Sequence, residues 1–265
     1  MLDLSWIQYS LIALIFIWSG FVRSGLGFGG AVLSLPFLLM VHNDPLIYLP
    51  LISVHLLVFS SITILKSNST RFQKNGNDTT QTPHESTIDW SYLKHAMSIM
   101  IIPKLIGVLG LITLPSSLMS GIIFSIVGFY SLTYILNKPF KSKSKKLDIL
   151  FLILGAYISG TSLIGAPLII TVFANHVKKH QLRDTLFALW FILVAIKMSA
   201  FLYVGIDLQL IHHIWLLPCA AIGHIIGLRF HHYILTADTA VFYRVVGIAL
   251  LIISVTGLTQ ILFPQ

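Results

Sequence analysis

Of the 17 lysines and arginines in this 265-residue chain, three stand apart: Arg23, Lys104 and Lys197. Each lies within or against an apolar run, whereas the other fourteen flank four polar loops. A basic group at the centre of a bilayer costs ~2.5–3.5 kcal/mol on insertion scales, so it faces a cavity or a partner. No Asp or Glu lies in the core of any apolar segment, and the nearest acids, such as Asp148, sit at segment ends. Three deep cations without a deep acid call for another neutralising group. A bound anion meets that need.

Glycine supplies the second ingredient. Residues 20–36, GFVRSGLGFGGAVLSLP, form an apolar stretch broken by five glycines and Arg23. A fainter copy, GAYISGTSLIGAPLIIT, lies 135 positions later at 155–171. Gly20, Gly25 and Gly30 match Gly155, Gly160 and Gly165, and Ala31 and Leu33 match Ala166 and Leu168. Such glycines let backbone approach a ligand closely, which makes Gly27, Gly29, Gly30 and Gly165 candidate anion contacts. Half-helices starting near Ala31 and Pro167 would aim free backbone N–H groups and a partial positive charge at the same place. Pro167 suits a first helical turn, where its missing N–H costs nothing. Thr161 and Ser162 add hydroxyl donors. His55, in mid-span, and His224, nearer one end of its segment, are candidates for proton coupling.

These groups need elements to hold them. The chain is 56% hydrophobic and 10% charged, against about 25% charged residues in a soluble domain. Its solvent is therefore lipid, and the expected fold class is an all-α polytopic membrane protein. Apolar runs of about 17–25 residues can span, and shorter ones make half-helices. The first half then contains a broken pair, 6–22 and 30–41 around the break 23–29, followed by spans 46–65, 93–113 and 119–136. The second half repeats this: 147–159 and 167–175 around the break 160–166, then 185–204, 210–228 and 240–263. A polar stretch, 66–89, is expected to be a loop with little order. Pro103 and Gly107 loosely echo Pro218 and Gly223, and Gly128 echoes Gly247.

Charge sets the orientation. If each broken pair enters the membrane and returns to its own side, all four basic loops fall on one side. They carry Lys66, Arg71, Lys74 and Lys94; Lys138, Lys141, Lys143, Lys145 and Lys146; Lys178, Lys179 and Arg183; and Arg229 with Arg244. The opposite side has no Lys or Arg. The positive-inside rule makes the basic side cytoplasmic and both termini external. Residues 1–137 then run outside to inside, 138–146 form a cytoplasmic basic linker, and 147–265 run inside to outside, an inverted repeat within one membrane domain. The net charge of +8 marks orientation rather than a nucleic-acid partner. Residues 1–20 lack a basic start and are expected to be a retained segment rather than a secretory signal. Cys219 is the single cysteine, so no internal disulfide forms.

Other chemistries are weighed against this. The glycines can serve helix packing alone. Lys104 and Lys197 can snorkel or donate to carbonyls in a dry interface, and Arg23 can reach the headgroups. His55 and His224 can be ordinary packing histidines. The pairs His176/His180, His212/His213 and His231/His232 lack neighbouring Cys or acid ligands, so neither metal nor cofactor is expected. Gly160-Thr161-Ser162 faintly resembles an intramembrane serine hydrolase, but Leu163 stands where the tight turn wants glycine. A non-transporting membrane scaffold or accessory subunit is the remaining alternative.

At Gly25-Leu26-Gly27-Phe28-Gly29-Gly30 with Pro36, and at Gly160 through Gly165-Ala166-Pro167, the chain resembles the sulfite exporter TauE/SafE family of membrane permeases. The resemblance covers nearly the whole chain. Leu163 and Ile164 replace small residues of the second motif. The resemblance implies a bacterial inner-membrane transporter, not an enzyme, for sulfite, organosulfonates or related small anions. The expected partners are that anion and the bilayer; oligomeric state is not legible from the sequence.

Overall fold

In the computed structural model the chain is helical throughout, with residues 4–26, 30–75, 86–138, 140–236 and 239–263 described and no strand among them. A backbone in lipid must satisfy its own hydrogen bonds, and helices do this within each segment. Ten helices follow in order: α1 Trp6–Leu26, α2 Leu35–Val41, α3 Pro45–Asn75, α4 Trp90–Thr113, α5 Ser116–Ile135, α6 Lys145–Ser162, α7 Ala166–His176, α8 Lys179–Val204, α9 Leu210–Thr236 and α10 Thr239–Leu262. Seven of them, α1, α3, α4, α5, α8, α9 and α10, are long and apolar enough to cross a bilayer. Local signals start several helices. Asp89 accepts from the Tyr92 amide at 2.9 Å ahead of α4, and Ser144 accepts from the Leu147 amide at 3.3 Å ahead of α6. Proline occupies the first turn of α2 and α7, where no donor is lost.

Both short pairs are hairpins whose ends return to where they began. Gln8, near the start of α1, donates to the Val41 carbonyl at the end of α2 at 3.0 Å. Halfway up, Trp18 donates to the Leu33 carbonyl, and Ser19 and Ser34 both donate to the Gly30 carbonyl. In the second pair, Asn175 donates to the Ser142 carbonyl at 3.1 Å, and His176 pairs with Asp148 at 2.9 Å. The ends of α7 and α6 are thereby pinned together.

Several boundaries differ from expectation. The first helix does not stop at 22 but runs through Arg23 and Gly25 to Leu26, and by length and composition it qualifies as a span. The second helix of that pair starts at Leu35 rather than near Ala31, after a turn at 30–34. Gly160, Thr161 and Ser162 belong to α6, so the second break shrinks to residues 163–165. A helical glycine costs only about 1 kcal/mol, which neighbouring helices offset by packing onto it. The polar stretch after 65 is not wholly loop, because α3 continues to Asn75; the remainder of the expected loop up to 85 lies outside the described residues.

Packing interleaves the two halves. α1 lies along α9, α4 along α6, α3 against α8 and α5 against α10. Glycine makes the first two contacts close. A Cβ on Gly107 would strike the Tyr157 carbonyl and come within 3.0 Å of the Gly160 Cα, and one on Gly227 would come within 3.0 Å of the Ser24 Cβ and 3.1 Å of the Gly25 amide. Gly223, the residue matched to Gly107 in sequence, also lies against α1: its added Cβ would strike the Ile17 carbonyl.

Candidate functional site

The two breaks meet at one cavity of about 40 Å³, room for a few waters or one small ion. Arg23, Gly30, Ala31 and Val32 come from the first hairpin, and Ser159, Leu163 and Ala166 from the second. Helix α8 closes the wall with Phe187, Trp190, Leu193 and Val194, and α3 adds Leu56. Most of this lining is apolar, so a charge placed there is poorly screened and its polar partners count for more.

Arg23 is the charged wall residue. It is 6% exposed, its guanidinium carbon stands 4.1 Å from the Phe59 ring centroid, and its Nη2 has no hydrogen-bond partner among the described residues. A cation over an aromatic face is attracted by the ring quadrupole, which holds the guanidinium without satisfying its N–H groups. Lys197 is completely buried, and its Nζ also lacks a partner among the described residues. It lies three and four residues beyond Val194 and Leu193, hence on the same face of α8 one turn past the cavity wall.

Lys104 is different. It is fully buried, but its Nζ donates to the Ser159 carbonyl at 2.9 Å and to the Ser159 hydroxyl at 3.1 Å. Ser159 is in the last turn of α6, where its carbonyl also accepts from the Leu163 amide at 3.2 Å and the helix dipole favours a cation. The expectation of three unpartnered deep cations is thus corrected to two: α6 itself compensates Lys104. Lys104 does not line the cavity, whereas its partner Ser159 does.

The other expected contacts divide. Gly30 lines the cavity, and a Cβ there would come within 3.2 Å of the Arg23 Cβ. Gly27 and Gly29 lie outside the described residues. Gly165 caps α7, and its added Cβ would strike the Gly155 carbonyl, so it closes the hairpin rather than lining the wall. Thr161 and Ser162 both turn back to donate to the Ile158 carbonyl, at 3.0 and 2.9 Å, and neither lines the cavity. Helical Ser and Thr find such acceptors one turn back. His224 shares a hydrogen bond with Ser24 near the end of α1, as Lys104 does with Ser159 near the end of α6. His55 is 2% exposed with neither ring nitrogen partnered among the described residues.

Sequence reasoning missed Ser159, Leu56 and the α8 wall. The α8 face was readable: counting back from Lys197 by helical steps of three, four, seven and ten gives Val194, Leu193, Trp190 and Phe187. Leu163 was read as a misplaced bulky residue. It adopts the left-handed conformation, φ 62°, ends α6 and lines the cavity. A bulky residue in that region costs about 1–2 kcal/mol, and such strain concentrates at functional sites.

Helical hairpins around a buried basic cavity, within a set of apolar spans, define a multi-pass membrane protein built like a permease. The chain belongs to the sulfite exporter TauE/SafE family, whose model matches residues 12–257. That family is one of membrane permeases and exporters. No curated protein and no solved structure matches the chain.

Proposed function

We propose that the protein is a secondary transporter of a small anion, sulfite, an organosulfonate or a related sulfur-containing anion, binding it in the cavity between the two hairpins. The observation that carries this is Arg23: a buried guanidinium with an unpartnered nitrogen on the wall where both breaks meet. An unpaired buried cation is costly, and an anion in the cavity removes that cost. Lys197 adds positive charge one turn away. The first-turn amides of α7, whose Ala166 lines the cavity, point donors the same way. Gly30 keeps the backbone close to Arg23, and Lys104 holds Ser159 in place.

Transport would proceed by alternating access, with 1–137 and 147–265 rocking as inverted repeats about the cavity and 138–146 linking them on the cytoplasmic side. The contact pattern supports this: matching α1–α5 in order with α6–α10 carries α1 on α9 into α6 on α4, and leaves the α3/α8 and α5/α10 pairs unchanged. In this arrangement the protein resides in the bacterial inner membrane with its basic loops cytoplasmic and both termini external.

The test is uptake of radiolabelled sulfite, taurine, sulfate and acetate into proteoliposomes. Uptake of at least one sulfur-containing anion is expected, abolished by Arg23→Gln and by Lys197→Met. Wild-type uptake that both variants reproduce would refute the site, and no uptake of any of the four would refute the substrate class.

A further inference from the structure

A second buried polar cluster lies beside this cavity. His55 presents its ring edge-on to Phe16, with centroids 4.9 Å apart, and meets His213 at 5.2 Å with the planes inclined by 66°. His213, in the first turn of α9, is 6% exposed. Its Nε2 lies 3.2 Å from the Leu208 carbonyl, in the link between α8 and α9. A carbonyl only accepts, so Nε2 carries the hydrogen and Nδ1 is the acceptor. That Nδ1 has no partner among the described residues, nor has either nitrogen of His55. Three ring nitrogens without partners among the described residues thus stand together, where buried polar atoms ordinarily find one.

The pair is placed between the 205–209 link and the cavity. Leu56, next to His55, lines the cavity, and Phe59, one turn on, lies beneath the Arg23 guanidinium. His55 faces the His213 ring, and Arg23 lies over Phe59 one turn along the same helix. Among the elements packed against α3, α8 brings Lys197 as its fully buried cation, α5 brings Tyr130 and Tyr134, α9 also brings His212 and His224, the latter with its ring 5.1 Å from that of Phe59 and bonded to Ser24, and α2 brings no ionisable side chain.

We propose that His55 and His213 form a proton relay, bridged by water, between the 205–209 link and the anion cavity, coupling proton movement to anion movement. It rests on the anion-transport function above. An imidazole passes a proton by accepting it on one nitrogen and releasing another from the opposite nitrogen, ending with its charge unchanged. His213 is set for this: a proton arriving on Nδ1 from His55 makes the ring cationic, and the ring returns to neutral by releasing its Nε2 proton to water at the 205–209 link, where Gly205 and Asp207 are exposed and the Leu208 carbonyl orients the N–H. The ring bonds stay intact, and no electron is transferred. A packing role would leave these nitrogens facing apolar neighbours. A relay gives each of them a donor or an acceptor.

Proteoliposomes of the full chain separate the two functions. Counterflow of radiolabelled sulfite needs an anion site but no net proton movement, whereas accumulation driven by a pH gradient needs both. In His55→Gln and His213→Gln, counterflow is expected to stay near wild type while gradient-driven accumulation falls by about a hundred-fold, the scale of a lost proton-transfer group. The double variant is expected to be no worse than either single. Accumulation retained in either variant overturns the relay, and so does counterflow that falls in step with accumulation. Absence of wild-type sulfite counterflow refutes sulfite as substrate instead. The relay is then decided by nitrogen NMR of ring-labelled histidines in micelles, which needs no anion. A His55 signal displaced in the His213→Gln protein supports it, and an identical signal overturns it.

Discussion

Gly160→Ala tests whether close helix contact holds the cavity wall in place. The added Cβ would sit 2.6 Å from the Lys104 carbonyl oxygen and 2.8 Å from the Gly107 Cα, both backbone atoms that cannot rotate away. Ordinary contact begins at 3.4 Å, so α4 and α6 must separate locally by about 0.8 Å. The same movement pulls Lys104 from Ser159, whose two bonds are now 2.9 and 3.1 Å. Overpacking of this kind costs about 1–3 kcal/mol. Weakening a charge-assisted bond adds part of its ~1.5–3 kcal/mol. The expected total is about 2–4 kcal/mol, measured by reversible unfolding in mixed micelles of increasing SDS content. Gly121→Ala is the matched control, because nothing lies within 4 Å of its added Cβ. Its stability is expected to hold or to rise by up to about 1 kcal/mol from the gain in helix propensity. If the two variants unfold at the same SDS fraction, the close α4/α6 contact does not support the fold and the argument fails.

Lys104 and Lys197 should part company when each is changed to Met. Lys104→Met loses the bonds to Ser159 and should destabilise by about 1.5–3 kcal/mol in the same unfolding assay. Lys197→Met removes a buried ammonium that has no hydrogen-bond partner among the described residues and only a 6.0 Å contact with the Phe201 ring, so stability should hold or rise, by up to about 4 kcal/mol, while anion uptake is lost; a clear loss of stability would mean that this lysine has a structural role. In a Cys219→Ser background, Asp207→Cys should react with a membrane-impermeant maleimide on intact cells, and Ser142→Cys only after permeabilisation. The reverse pattern would invert the proposed topology.

Composition alone determined that the chain is a helical membrane protein, because only lipid can solvate a surface this apolar. Glycine placement and the return of apolar pattern after 135 positions also marked the two short pairs, and hydrogen bonds from Gln8 to Val41 and from Asn175 to Ser142 bring the ends of each pair together. The ends of those breaks were not legible. Gly25 and Gly160 look like interruptions in a linear pattern, yet each lies within a helix against a neighbour, α9 or α4, that the linear pattern does not contain. The same limit applied to charge. Arg23, Lys104 and Lys197 are equivalent in sequence, each a cation in an apolar setting. Tertiary structure distinguished them: the end of α6 receives Lys104, Phe59 holds Arg23 at the cavity, and Lys197 lies 6.0 Å from the Phe201 ring centroid with no hydrogen-bond partner for its Nζ among the described residues. Sequence determines that a charge must be compensated, because burial is written in its neighbours. Which group compensates it depends on residues distant in sequence, such as Phe59 for Arg23 and Ser159 for Lys104, and only packing decides that.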